Sequence, residues 1–145
     1  MFVYKKTYEV IWADVDLNRH MRHTAYGDYA AHTRISFMAD QGFGIDKLYD
    51  LGIAPVLIRE ELRYLKELTL GQKIDVTVKL RDLSPDGVEW KLLHEIVRED
   101  GKLAATIEIT AVWIDVKARK KTAPPAGVRE VFGRLERAQN GSGKN

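Results

Sequence analysis

The 145-residue chain contains no cysteine. Disulfides, thiolate metal sites and a cysteine nucleophile are therefore excluded. It also lacks a long apolar run. Charged residues interrupt the opening MFVYKKTYEVIW, so neither a signal peptide nor a membrane span is expected, and the default location is the cytoplasm. Charge of one sign is not in excess either. A formal net charge of +2 is too small to argue for a nucleic-acid partner. There is no P-loop, no Rossmann glycine pattern and no G-x-S-x-G. No repeat or linker splits the chain. What remains is the make-up of a soluble globular protein, 45% hydrophobic and 30% charged, long enough for one real core. A single domain over 1–138 is expected, followed by a disordered polar tail over 139–145.

Tyr4 to Trp12 is β-prone and reads as a first strand. Thr24 to Gln41 reads as a long helix, with Tyr26, Tyr29, Ala30, Thr33, Phe37 and Met38 on one apolar stripe. Thr24 suits its N-cap, and Gly42 stands where a C-terminal glycine belongs. Strands follow. Val56 to Lys66 alternates, with Val56, Ile58, Leu62 and Tyr64 on one face. Ile74, Val76, Val78 and Leu80 alternate cleanly with polar residues. Ser84-Pro85-Asp86-Gly87 is a turn. Val88, Trp90, Leu92, His94 and Ile96 share a face, and His94 reads there as a packed core histidine. Asp100-Gly101 signals a hairpin into a last long strand, Leu103 to Asp115. After Pro124-Pro125, Val128 to Arg137 reads as a short closing helix. This order predicts an α+β fold, a curved antiparallel sheet of about five strands wrapped around one long helix. Its exposed edges predict at least a homodimer, paired edge to edge, with a homotetramer as the expected larger assembly.

The loop before the helix is unusual. Asp14 to His23 packs two aspartates, an asparagine and two histidines into ten residues. One reading is local: Asp16 forms an Asx turn on the approach to the helix, and His20 is a satisfied core histidine. Another is a metal site from Asp14, Asp16, His20 and His23. His20 and His23 stand only three apart in a loop and nothing else converges on them, so no metal and no cofactor is expected.

The motif also resembles a known family. Trp12, Asp14-Val15-Asp16, His20, Tyr26, Tyr29 and Arg34 match, without gaps, the pattern of hotdog-fold acyl thioesterases of the 4-hydroxybenzoyl-CoA thioesterase-like and acyl-ACP thioesterase branch. Leu62 to Ile74, L-R-Y-L-K-E-L-T-L-G-Q-K-I, resembles the family's second-strand motif and glycine turn. The likeness covers roughly residues 3 to 125. The chain departs from the pattern at Arg19, where the family has glycine, and at Met21-Arg22-His23, where it has V-N-N. Ala30-Ala31-His32 occupy the region where one subgroup carries a glutamate on the helix.

The resemblance implies hydrolysis of an acyl-CoA or acyl-ACP thioester. Water adds to the thioester carbonyl, an oxyanion forms, and a thiolate leaves. With a thiol pKa of about 8.5 the leaving group needs no strong acid. Asp16 is the candidate base or nucleophile, with Asn18 and His20 as orienting partners and Asp14 as a structural anchor. The start of the helix offers backbone N–H groups for the oxyanion. The resemblance puts one of them at His23, whose side chain is then incidental. Tyr26, Ala54, Val56 and Ile58 are expected pocket walls, with Ala54-Pro55-Val56 entering beside the loop of a second subunit. Arg59, Arg63 and Lys66 either meet CoA phosphates or an acidic carrier protein, or form a solvated strand face. Glu60 falls on the apolar face by strict alternation. It is either a second site carboxylate or turned outward by a bulge. Two alternatives remain open: an enoyl-thioester hydratase or dehydratase on the same fold, and a non-catalytic acyl-thioester binding module. The hydratase signature D-x-N-P-x-H fails at two points, since Arg19 follows Asn18 and His20 stands four residues after Asp16.

Overall fold

The computed structural model describes residues 1–139. The polar tail lies, beyond Gln139, outside them. Strand β1 (Tyr4–Glu9) leads through a single turn of 3-10 helix (Trp12–Asp14) and a tight loop into helix α1 (His23–Asp40). Helix α2 (Ile45–Leu51) then precedes β2 (Ile53–Tyr64), β3 (Lys73–Leu83), β4 (Glu89–Arg98), β5 (Leu103–Asp115), the two-residue β6 (Lys120–Lys121) and α3 (Ala126–Gly133). The sheet runs β1-β3-β4-β5-β2, with β6 on β5, and every strand pair is antiparallel. This is the expected hotdog architecture.

The α1 stripe packs onto the sheet. Tyr26, Ala30, Thr33, Phe37 and Met38 are buried together with Ala25, while Tyr29 is half-buried. Each large apolar member contributes roughly 1.5–3 kcal/mol. The hydroxyl of Thr33 is the polar exception, and it donates to Tyr29 O at 2.7 Å and meets Tyr8 Oη at 2.9 Å. Trp90, Trp113 and Phe132 form a second aromatic cluster, with ring centroids 4.8–6.3 Å apart.

Several expectations need correction. Trp12 belongs to the 3-10 turn and not to β1. Helix α1 starts one residue earlier than expected, so Arg22 and not Thr24 is its N-cap, and no side chain caps it. Helix α2 was not anticipated, because its seven residues are too few to show a periodic pattern. The closing helix starts at Ala126 and stops at Gly133.

The largest correction concerns β2. Leu57 pairs with Ala111 and Arg59 with Thr110, which leaves Ile58 as a bulged extra residue. Directly opposed residues share a face. Glu60, Leu62 and Tyr64 therefore lie with Ile109, Ile107 and Ala105 on the helix side, as do Leu57 and Pro55, opposite Ala111 and Trp113. Val56 and Ile58 do not share a face with Leu62 and Tyr64. They stay 40% and 54% exposed on an edge strand. The bulge exists, and it leaves Glu60 facing the helix.

Candidate active site

The loop from β1 to α1 is a small hairpin. Val15 bridges Met21, Asp16 N–H donates to His20 O at 2.9 Å, and Arg19 closes the turn with φ 68°. Backbone bonds tie it down at both sides: Met21 N–H donates to Leu68 O at 2.6 Å, and Arg22 N–H to Asp14 O at 2.8 Å. The two aspartates have separate fates. Asp14 accepts from Tyr29 Oη at 2.7 Å and lies 3.5 Å from Arg22 Nη2, so it is the structural anchor. Burial and this carboxylate together push the Tyr29 phenol well above its ordinary pKa.

Asp16 does form the Asx turn. Its Oδ1 accepts from the backbone N–H of Asn18 at 2.8 Å and of His20 at 3.3 Å. Oδ2 has no hydrogen-bond donor among the described residues. The turn fixes the carboxyl group and leaves one oxygen available.

Asp16, His20, His23 and Tyr26 line one open cavity of about 380 Å³, closed on its far side by Tyr64, Lys66 and Glu67. His20 is half-exposed and not a core histidine, and its Nε2 stands 3.9 Å from Glu67 Oε2. Tyr64 Oη donates to His23 O at 3.3 Å, and its ring stands edge-on to Tyr26 at 5.0 Å. Tyr64 and Glu67 escaped notice in the sequence, where they read as strand and loop residues. His23 opens α1 with no side-chain cap; Ala25 N–H donates to Arg22 O at 3.0 Å, while the N–H groups of His23 and Thr24 have no acceptor among the described residues.

A second open cavity, about 440 Å³, shares His23 and Tyr64 with the first and adds Gly27, Arg34 and Glu60. Glu60 lies over Gly27, where an added Cβ would come within 3.4 Å of its Oε2. A third space, about 160 Å³, lies deeper between α1 and the sheet and shares Ala31 and Arg34 with the second. The three adjoin one another in series, each sharing lining residues with the next.

The other expected site residues are elsewhere. The Asn18 side chain is exposed and makes no hydrogen bond within the described residues, so only its backbone serves Asp16. Ala54, Val56, Ile58 and Arg59 line none of the three spaces, and Arg59 pairs with exposed Glu61 at 3.6 Å. Pro55 and Leu57, one position away, line the inner one. The shift follows from the bulge at Ile58. No group of three or more His, Asp or Glu that could hold a metal occurs among the described residues. No helix there is long and apolar enough to cross a membrane.

A profile of the thioesterase-like superfamily matches residues 10–132. The chain belongs to that superfamily. The match contains the whole Asp16 loop, α1 and the four long strands β2 to β5, and it begins after β1. A hypothetical protein from Staphylococcus aureus, solved in complex with CoA, superposes with TM-score 0.88 at 22% identity, covering 97% of this chain and 89% of that one. A 1,4-dihydroxy-2-naphthoyl-CoA thioesterase from Synechocystis superposes with TM-score 0.83 at 17% identity, over 92% and 97%. These are likenesses of fold. In sequence, the L-carnitine dehydrogenase/betainyl-CoA thioesterase of Agrobacterium fabrum is 28% identical over 144 residues, which is 90% of this chain and 29% of that protein. The chain thus spans less than a third of that curated relative.

Proposed function

We propose that this superfamily member hydrolyses an acyl-CoA thioester to the free acid and CoA, with Asp16 and the start of α1 as the reacting centre. The observation that carries this is the half-used carboxylate. Asp16 is held by Oδ1, keeps Oδ2 without a protein donor, and shares a cavity with the uncapped helix start at His23. Oδ2 either takes a proton from the attacking water or attacks the carbonyl itself. In both cases the carbonyl oxygen becomes an oxyanion, which suits the N–H groups of His23 and Thr24 at the start of α1 and the positive end of its dipole. Collapse of the tetrahedral intermediate breaks the C–S bond and releases the thiolate; on the water route this leaves the free acid, and on the nucleophile route it leaves a mixed anhydride with Asp16 that a water then hydrolyses to the acid and the regenerated carboxylate. His20, beside Glu67, is placed to orient the water, and Tyr26 and Tyr64 wall the acyl group. Lys66 is the cation at this mouth for a CoA phosphate.

A single domain over 1–138 is the folding unit in this reading. Two copies pair through β2, whose free edge carries Val56 and Ile58. Ala54, Val56 and Ile58 then serve the interface in place of the pocket wall.

The test is thiol release from short, long, aromatic and betainyl acyl-CoAs, with native protein beside Asp16→Ala. At least one substrate turns over, and Asp16→Ala loses about 10²–10⁴-fold while staying folded. A blank across the panel, repeated with acyl carrier protein substrates, overturns the enzyme reading and favours a binding module. Survival of hydrolysis in Asp16→Ala moves the search to Glu60.

A further inference from the structure

The inner space has an uneven chemistry. Its volume, about 160 Å³, is close to that of an engineered apolar cavity that holds benzene. Trp90, Trp113, Phe132, Leu48 and Leu57 supply apolar wall. Every polar side-chain group on that wall is a donor. The indole N–H groups of Trp90 and Trp113 are buried, with those residues 5% and 1% exposed, and have no hydrogen-bond partner among the described residues. The guanidinium of Arg34 is the third.

Arg34 is a half-buried cation without a carboxylate within ion-pair distance among the described residues. Its one side-chain hydrogen bond there goes to His94, with Nη1 3.4 Å from Nε2. His94 is fully buried, and its Nδ1 donates to the Thr77 carbonyl at 2.9 Å. Nε2 is therefore the bare nitrogen and accepts from Arg34. Burial, and then the Arg34 charge, push the imidazole down to about 3, so it holds the guanidinium in place without neutralising it. Burial lowers the pKa of Arg34, and Glu60, across the neighbouring cleft, opposes that shift. On the chamber side Arg34 meets apolar wall, and its nearest acidic influence, Glu60, lies on the cleft side and beyond ion-pair distance, so the guanidinium has no direct carboxylate partner there.

The geometry points to Arg34 as a specificity-determining residue that receives an acyl group ending in a carboxylate, seated in the chamber between α1 and the sheet. This rests on the thioesterase reading for the position of the thioester. Arg34 is eleven residues beyond His23 on α1, and its side chain leans back toward the helix start. An acyl chain on the order of 10 Å long spans the distance. Arg34 lines both the cleft and the chamber, so any acyl group passing from one to the other meets it.

The test uses matched pairs: adipyl-CoA beside hexanoyl-CoA, and suberyl-CoA beside octanoyl-CoA. kcat/KM is measured on the full chain, and binding of the same four by calorimetry on Asp16→Asn. The carboxylate-ended member is preferred at least tenfold in one pair. Arg34→Met reverses that preference while the neutral partner keeps its value within about threefold, and Arg34→Lys retains part of it. Equal or better handling of the neutral acyl groups by the native protein overturns the inference. So does an Arg34→Met that lowers both members of a pair by the same factor, which is what a merely structural role predicts. If Arg34→Met does not fold, Arg34→Gln takes its place, and the native preference still decides. If no thioester is hydrolysed at all, the thioesterase reading fails, and tenfold tighter binding of the carboxylate-ended members upholds the role of Arg34, whereas equal binding overturns it.

Discussion

The two ends of α1 are finished in opposite ways. At the C-terminus the chain closes every loose group it can. Gly42, at φ 93°, sends its N–H to Ala39 O at 3.0 Å, and Phe43 sends its own to Met38 O at 2.8 Å. That is the paired Schellman arrangement. Tyr4 adds a bond to Asp40. At the N-terminus the cap is Arg22, whose side chain goes to Ala13 O and Thr24 Oγ1 and leaves the N–H groups of His23 and Thr24 without an acceptor among the described residues. A Ser, Thr, Asp or Asn cap is typically worth about 1 kcal/mol. The helix forgoes it at the end that borders Asp16. One end is closed by its own chain, and in the proposed reaction the other keeps donors for the oxyanion.

The comparison breaks most sharply if the open end turns out to do nothing. His23→Pro removes the N–H of the first helical residue with little strain, since proline is at home there and Arg22 already has the extended backbone that a following proline requires, φ −66° and ψ 145°. Hydrolysis should fall about 10²–10³-fold, as when an oxyanion donor is lost, with the urea midpoint nearly unchanged. An unaltered rate would show that this donor is idle. Gly42→Ala probes the closed end. An added Cβ meets nothing within 4 Å, so the cost is that of a left-handed backbone, about 1–2 kcal/mol. It should appear in the denaturation midpoint at constant m-value, while kcat/KM per folded molecule holds steady. A drop in turnover of similar size would blur the division between the ends. The smallest effect is expected from His23→Ala, which keeps the backbone donor: less than about threefold in kcat/KM. A larger loss would give the imidazole a role of its own.

Much of this was legible in the sequence because it is local. The Asp16 turn, the helix stripe and Gly42 are set by residues within a few positions of one another, and patterns of that range survive in a single sequence. The Asx turn and the site reading of Asp16 looked like rivals from the sequence, and the geometry accommodates both by using different oxygens of one carboxylate. What escaped was relational. Nothing in V-L-I-R-E-E-L announces that Ile58 is an extra residue, because a bulge is defined by the partner strand. Tyr64 and Glu67 reach the cavity only because the β2 end and the following loop fold against the start of α1. Helix α2 forms over a stretch too short for its period to be seen. His94 was read correctly as core, yet its bond to Arg34 joins residues 60 apart in sequence.

The bulge at Ile58 carries one more lesson. Substitutions change which side chain stands at a position, but the count of residues before Glu60 decides which side of the sheet that position serves. Removing a single residue there, with every identity kept, would trade the wall made by Glu60, Leu62 and Tyr64 for the one now turned outward by Arg59, Glu61 and Arg63. For this strand, length is as much a determinant of the inner surface as composition, and a comparison of related chains that ignored a one-residue gap would align the wrong faces.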